Sequence, residues 1–188
     1  AIAIEKWELH KRIALNIILI TGQEATKLIL GFMLSTFFIS MWISNTATTM
    51  MMYPIALSII NVVKTSYDHK HFIKLRTALL LCIAYASNIG GLSTIVGTPP
   101  NSAFVAFLNE RNQQSIGFAE WMKICFPIAI IILIILFLFF KYVLFPMKNA
   151  SENHSKEFIQ QQLQKLGKWT YEQKAVLVVF LITALLWI

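Results

Sequence analysis

The chain has 188 residues, 57% of them hydrophobic and 13% charged, with a formal net charge of +7 and a mean hydropathy of +0.65. A water-soluble domain carries about 25% charged residues; here the few charges are clumped, and uncharged stretches such as 124–140 are long enough to cross about 30 Å of hydrocarbon as a helix. The composition excludes an ordinary soluble domain, and the positive-inside rule accounts for the excess lysine and arginine better than a nucleic-acid partner does.

The first predicted element, within residues 1–23, is an amphipathic helix lying on the membrane surface. Trp7, Ile13 and Ile17 share one stripe, with Lys6, Lys11 and Arg12 outside it. Thr21-Gly22-Gln23-Glu24 breaks it. The charged start argues against a cleavable signal peptide. The chain lacks an initiator Met and stops at Ile188, inside an apolar run that begins at Ala175, so both ends are expected to be truncated.

Residues 24–66 form the second unit. Between 28 and 63 the only ionisable side chain is Tyr53, and the centre holds Ser44-Asn45-Thr46-Ala47-Thr48-Thr49. Two readings compete: a polar loop exposed between two spanning helices, or a re-entrant helical hairpin whose tip stops at mid-depth. Arms at 28–43 and 47–63 would each be about 25 Å long, marginal for a full span and suitable for a re-entrant arm. Lys27 and Lys64 put both ends on one side under either reading.

A broken transmembrane helix is expected at 67–112. A basic linker, 69–76, leads into an apolar helix at 75–89. Gly90-Gly91 and Gly97-Thr98-Pro99-Pro100 then argue against a continuous helix, and the helical pattern resumes at 102–108. The plainer reading of this stretch is a Gly/Pro kink for helix packing. A polar loop at 109–117 precedes a transmembrane helix assigned to 113–147, with a kink expected at Pro127. A cytoplasmic connection at 148–174 contains a surface helix with Phe158, Ile159, Leu163 and Leu166 on one face, and 175–188 starts the next span. Lys64, Lys70, Lys74 and Arg76 flank the broken helix. Only Arg111 and Lys123 lie at the next boundary, and Lys141, Lys148, Lys156, Lys165, Lys168 and Lys174 follow. This alternation makes the first and third connections cytoplasmic.

The polar breaks carry the chemistry. Backbone that leaves helical geometry at membrane depth must face protein or a wet cavity, and transporters build ligand sites there. Ser, Thr and Asn oxygens with freed carbonyls suit a small hard cation. Helix N-termini after a break suit a carboxylate or sulfate oxygen. With no lysine or arginine at either tip, the anion would rely on dipoles, hydroxyls, amide N–H groups and a neighbouring bound cation, which couples the two. The polar turn at 44–49 could also lie outside the membrane with its hydroxyls capping a helix. Elsewhere, His69 and His71 read as a solvated loop rather than a metal site. Met50, Met51 and Met52 read as packing residues, and Cys82 and Cys125 as small buried hydrophobes without a disulfide. Asn149-Ala150-Ser151 and Asn153-His154-Ser155 fit the glycosylation pattern but are placed on the cytoplasmic side. HExxH, Walker and nucleophile-elbow motifs are absent, so an enzyme is not expected.

Ser40-Met41-Trp42-Ile43-Ser44-Asn45-Thr46-Ala47-Thr48 resembles the Ser-Asn-Thr hairpin signature of the divalent anion/sodium symporter family, which includes sodium-coupled dicarboxylate, citrate and sulfate carriers. Ile89-Gly90-Gly91 through Gly97-Thr98-Pro99-Pro100-Asn101 resembles its unwound-helix motif, and the order of elements is similar over nearly the whole chain. The resemblance implies an all-α integral membrane fold, one half of an inverted-repeat transporter, multi-pass in the inner or plasma membrane. It implies a homodimer that works by an elevator movement. It further implies that Ser40, Ser44, Asn45 and the Gly97 carbonyl hold a sodium ion. Ser44, Asn45 and Thr46 would face the substrate carboxylate, with Thr98 and Pro99 opposite, while Gly90 and Gly91 allow close approach. Only one such hairpin is present, so the second repeat is expected beyond Ile188. The leading expectation is therefore sodium-driven uptake of a C4-dicarboxylate. A channel or oxyanion efflux component, a scaffold without transport, and sulfate as the substrate remain the rivals.

Overall fold

The computed structural model describes residues 2–22, 24–64, 68–112, 116–144 and 153–187, and every regular element among them is a helix. The N-terminal stretch is two helices rather than one, α1 (Ile2–Lys6) and α2 (Leu9–Thr21), separated at Glu8, whose φ of 53° is left-handed. The buried face of α2 is made by Leu9, Ala14, Leu15 and Ile18, and the expected stripe residues Ile13 and Ile17 are only half-buried. Arg12, expected outside the apolar stripe, is buried. Its Nη2 donates to the carbonyls of Leu166 and Gly167, both at 2.9 Å, and its guanidinium lies 5.1 Å from the centre of the Trp169 ring. Those carbonyls end the later helix α8 (Asn153–Lys165), so a cation meets the negative end of a helix dipole. α2 stops at Gly22, where φ is 108°, a conformation that favours glycine.

α3 (Ala25–Ser40) and α4 (Asn45–Val63) form a helical hairpin whose tip is residues 41–44. α3 starts and stops three residues earlier than the pattern placed it, while α4 starts two residues earlier, capped by Ser44, and ends at Val63 as expected. α3 is the central element: Leu28, Phe32, Met33, Ser35, Thr36 and Ser40 are fully buried. It packs against α2 on one side and α5 (His69–Leu92) on the other, and α4 also rests on α5. The two arms are thus bridged by α5, and close packing of this kind drives helix association in lipid, where burial alone gives little.

Two expectations about the broken helix are corrected. The basic linker 69–76 is already helical, forming the first turns of α5, and α5 runs straight through Gly90-Gly91 to Leu92. The interruption is confined to 93–98, and α6 (Pro99–Asn112) starts on the proline pair. Glycine lowers helix propensity by about 1 kcal/mol, but here it lets α5 lie against α3. A Cβ on Gly90 would come within 2.3 Å of the Phe37 carbonyl oxygen. Proline at the first helical position removes an N–H that has no intrahelical acceptor anyway. The polar loop expected from 109 therefore begins later, since α6 continues to Asn112.

α7 (Phe118–Phe139) passes through Pro127 as one helix and continues into a π-helical turn, Phe140–Leu144. α5, and α7 together with that turn, are long and apolar enough to cross a membrane. α7 buries Ala129 and Leu133 and leaves Ile124, Ile131 and Ile135 facing outward. In α8 the expected apolar face is present: Ile159 is buried, and Leu163 and Leu166 pack on the core. The side chain of Phe158, the Asn149 acceptor triplet, Lys148 and both chain ends lie outside the described residues. α9 (Tyr171–Trp187) completes the chain, its Phe180 edge-on to Trp42 at 4.8 Å between ring centres.

Candidate functional site

The hairpin tip seats against the end of α5 and the 93–98 break. α3 ends at Ser40, and the Met41 carbonyl beyond it accepts a hydrogen bond from Thr94 Oγ1 at 2.5 Å. Asn101, in the first turn of α6, donates from Nδ2 to the carbonyls of Gly91 at 2.9 Å and Thr94 at 2.8 Å. Ser102 Oγ donates to the Ile95 carbonyl at 3.0 Å, and Trp121 Nε1 to that of Leu92 at 3.1 Å. The broken helix thus satisfies most of its freed carbonyls from its own second half and from α7, as backbone without water must. Fewer of them are left for a cation than the sequence pattern implied.

The oxygens left over converge on Ser40 and Asn45. Ser40 is fully buried. Its Oγ lies 2.7 Å from the Ser87 carbonyl oxygen and 2.9 Å from Asn45 Oδ1. A hydroxyl has one proton, so it serves one of these acceptors. Given to the nearer, the Ser87 carbonyl, it leaves the lone pairs of Ser40 Oγ and Asn45 Oδ1 facing each other. A shell further out has the same surplus. Thr49 Oγ1 lies 2.8 Å from the Asn45 carbonyl and 3.0 Å from Ser87 Oγ, while Ser87 gives its own proton to the Ala84 carbonyl at 2.9 Å. Neutral oxygens that outnumber the protons between them are a donor set for a hard cation.

Gly91 makes room for this arrangement: a Cβ there would sit 2.0 Å from Asn45 Oδ1. Gly97 is next in line, since a Cβ on it would meet the Gly91 carbonyl oxygen at 2.5 Å. Ser40, Asn45, Gly91 and Gly97 are therefore contiguous. Ser44, also assigned to the cation from the sequence, is exposed; its Oγ accepts the Ala47 N–H at 3.4 Å and its carbonyl the Thr48 N–H at 2.9 Å.

None of the residues assigned to the anion is fully buried. Ser44, Thr46 and Pro99 are exposed, and Asn45 and Thr98 are half-buried. None of the hydrogen bonds among the described residues joins Thr46 to Thr98 or Pro99. The N-termini of α4 and α6 differ chemically. The Asn45 and Thr46 N–H groups of α4 have no acceptor within the helix. Pro99 and Pro100 have no N–H at all, and the Asn101 N–H is turned to the Thr98 carbonyl at 3.1 Å. α6 contributes a dipole without donors at its tip, so hydrogen bonds to an anion fall to α4.

Sequence reasoning gave no role to Thr49, Ser87, Asn88, Thr94 or Asn101. All lie inside or beside the polar runs it singled out. Thr49 follows Asn45 at helical spacing i+4, the one local signal that could have recruited it.

The profile of the sodium:sulfate symporter transmembrane region family matches residues 1–188. The chain is 40% identical over 195 residues to the sodium-dependent dicarboxylate transporter SdcS of Staphylococcus saprophyticus. It is also 40% identical over 192 residues to SdcS of Staphylococcus aureus strain NCTC 8325. Each alignment takes in 100% of this chain and 37% of the relative, so the chain spans little more than a third of the length of these curated proteins. With a match along its whole length, two membrane-length apolar helices and an uncharged oxygen cluster at a helix break, the chain belongs to the sodium:sulfate symporter transmembrane family.

Proposed function

We propose that the protein is a sodium:divalent anion symporter of the plasma membrane, and that this chain supplies one cation site and half of the anion site for C4-dicarboxylate uptake. The observation that carries this reading is the Ser40–Asn45–Ser87 oxygen cluster, with more acceptors than protons and Gly91 making room beside it. Sodium is the coupling ion in the names of the family and of both relatives. Dicarboxylate comes from the relatives, and sulfate is the alternative that the family description names.

The mechanism follows from electrostatics. The site has no positive side chain, so an anion at the α4 N-terminus depends on the helix dipole, the Asn45 and Thr46 N–H groups and the bound cation. Unit charges about 4 Å apart at an effective dielectric of about 20 attract by about 4 kcal/mol. That is comparable to the whole binding energy of a millimolar ligand, about 4 kcal/mol. Sodium therefore comes first and the anion binds only to the loaded site. Ser40, Ser44, Asn45 and the Gly97 carbonyl hold the ion. Ser44, Asn45 and Thr46 receive one carboxylate, with Thr98 and Pro99 closing the opposite side. The hairpin is re-entrant, a second inverted repeat completes the pocket, and the dimeric protein carries it across by an elevator movement. Radiolabelled succinate uptake by the full-length protein, with and without sodium, is the test. Saturable uptake that vanishes in potassium or choline supports the reading. Sodium-independent or non-saturable flux replaces it with a channel, and competition by sulfate stronger than by succinate moves the substrate to sulfate.

A further inference from the structure

Asn88 lies on α5 facing the hairpin tip. It has no part in holding the cation or the anion in the mechanism above. Its Oδ1 accepts from Asn45 Nδ2 at 3.0 Å, and its own Nδ2 donates to the Ala84 carbonyl one turn back, also at 3.0 Å. We infer that Asn88 is a positioning residue for the cation site, fixing which end of the Asn45 amide faces Ser40. This rests on the sodium reading and deepens it.

The Ala84 carbonyl can only accept, so Asn88 must turn its NH2 toward it and its Oδ1 toward the hairpin. That oxygen can in turn only accept, so Asn45 must present its NH2 to Asn88 and its Oδ1 to Ser40. The orientation of both amides is dictated by one backbone carbonyl of α5. Without Asn88 the balance reverses. With its proton on the Ser87 carbonyl, 2.7 Å away, Ser40 Oγ has lone pairs free. A flipped Asn45 would satisfy them with its NH2. The empty site would then be internally hydrogen-bonded, with an N–H where a cation needs the Asn45 oxygen. With Asn88 present, that flip gives up the Asn45–Asn88 hydrogen bond and sets two amide oxygens against each other. Asn88 thus keeps the empty site short of protons and open to a cation. It is exposed on its other side, so substitution leaves the core intact.

The test uses the purified full-length protein with Asn88→Ala, Asn88→Ser and Asn88→Asp. Sodium is titrated without anion while thermal unfolding is followed, and the succinate KM is measured separately at saturating sodium. Aspartate retains the acceptor for Asn45 Nδ2, whereas alanine and the shorter serine do not reach it. The expected result is a sodium half-saturation raised about fivefold to tenfold in Asn88→Ala and Asn88→Ser, the worth of one hydrogen bond. Asn88→Asp stays at or below the wild-type value, and the succinate KM stays within about twofold in all three. Alanine and serine values within about twofold of wild type, or aspartate shifted as far as alanine, overturn the positioning role while sodium binding stands. A wild-type protein whose unfolding ignores sodium removes both readings together.

Discussion

The chain interrupts its apolar helices twice, and the two interruptions are finished differently. At 93–98 the loose carbonyls are taken up by side chains of the same unit, Asn101 and Ser102, and by Trp121, and the following helix opens on Pro99-Pro100 with no N–H groups at its tip. At 41–44 the hairpin hands the Met41 carbonyl to Thr94 but leaves two helix N–H groups without an intrahelical acceptor and a single hydroxyl proton to serve both Asn45 Oδ1 and the Ser87 carbonyl. The first break is mostly closed on itself, giving the proposed site only the Gly97 carbonyl and the Thr98–Pro99 edge, and the second supplies the donors and side-chain oxygens on which the proposed site depends. Two polar breaks of similar composition can therefore have separate roles, and what separates them is which donors and acceptors remain unmatched.

Substitutions at the two breaks should differ accordingly. The largest effect is expected at the hairpin. Asn45→Ala removes the shared oxygen and should reduce sodium-dependent succinate uptake by full-length protein more than a hundredfold, to background, with membrane insertion unchanged by immunoblot. Next come the adjacent glycines, which sharpen the contrast. Gly91→Ala strikes the movable Asn45 side chain, so sodium half-saturation should rise at least tenfold while the unfolding temperature holds, alanine being the better helix former by about 1 kcal/mol. Gly90→Ala strikes the Phe37 backbone instead. It should destabilise by about 1–3 kcal/mol, the range for overpacking, read as a lower unfolding temperature with sodium affinity preserved in what folds. At the 93–98 break, Asn101→Leu removes the side-chain donor of the Gly91 and Thr94 carbonyls, leaving Thr94 only the long Gly97 N–H contact of 3.4 Å, and should cost about 1–3 kcal/mol of stability, with loss of transport following loss of folded protein. The smallest effect belongs to Pro100→Ala, which restores one N–H at the α6 tip. Succinate KM is expected to fall by no more than about twofold; a tenfold gain would mean that α6 donors, and not α4 alone, hold the anion.

How much of this could be read from the sequence depended on how local the signal was. Ser40 was reached only through the resemblance of 40–48 to the family's hairpin signature, whereas Ser44 and Asn45, beyond three apolar residues, stood out because they sit in one uncharged polar patch between two apolar arms. The helical hairpin and the existence of a second break were legible for the same reason. Gly90-Gly91 was misread as part of the break, since propensity says glycine weakens a helix but not that a neighbour 2.3 Å from an absent Cβ requires it. Arg12 was placed outside the apolar stripe because its acceptors, the Leu166 and Gly167 carbonyls, lie more than 150 residues away. Asn88 looked like a polar residue at the end of an apolar helix. Its meaning depends on Asn45, 43 residues earlier, and on Ala84, one turn before. The depth at which the hairpin sits depends on the bilayer, for which local sequence carries only a length.

The account turns on the hairpin tip lining a protein cavity that the cation and anion fill together. The most direct measurement is the rate at which a membrane-impermeant thiol reagent labels Thr46→Cys in an otherwise cysteine-free full-length protein, with Cys82 and Cys125 replaced. Slow labelling that sodium and succinate together suppress further, and that neither suppresses to the same degree alone, is the expected result. Labelling as fast as at a cysteine in an external loop, and indifferent to both ligands, would contradict it.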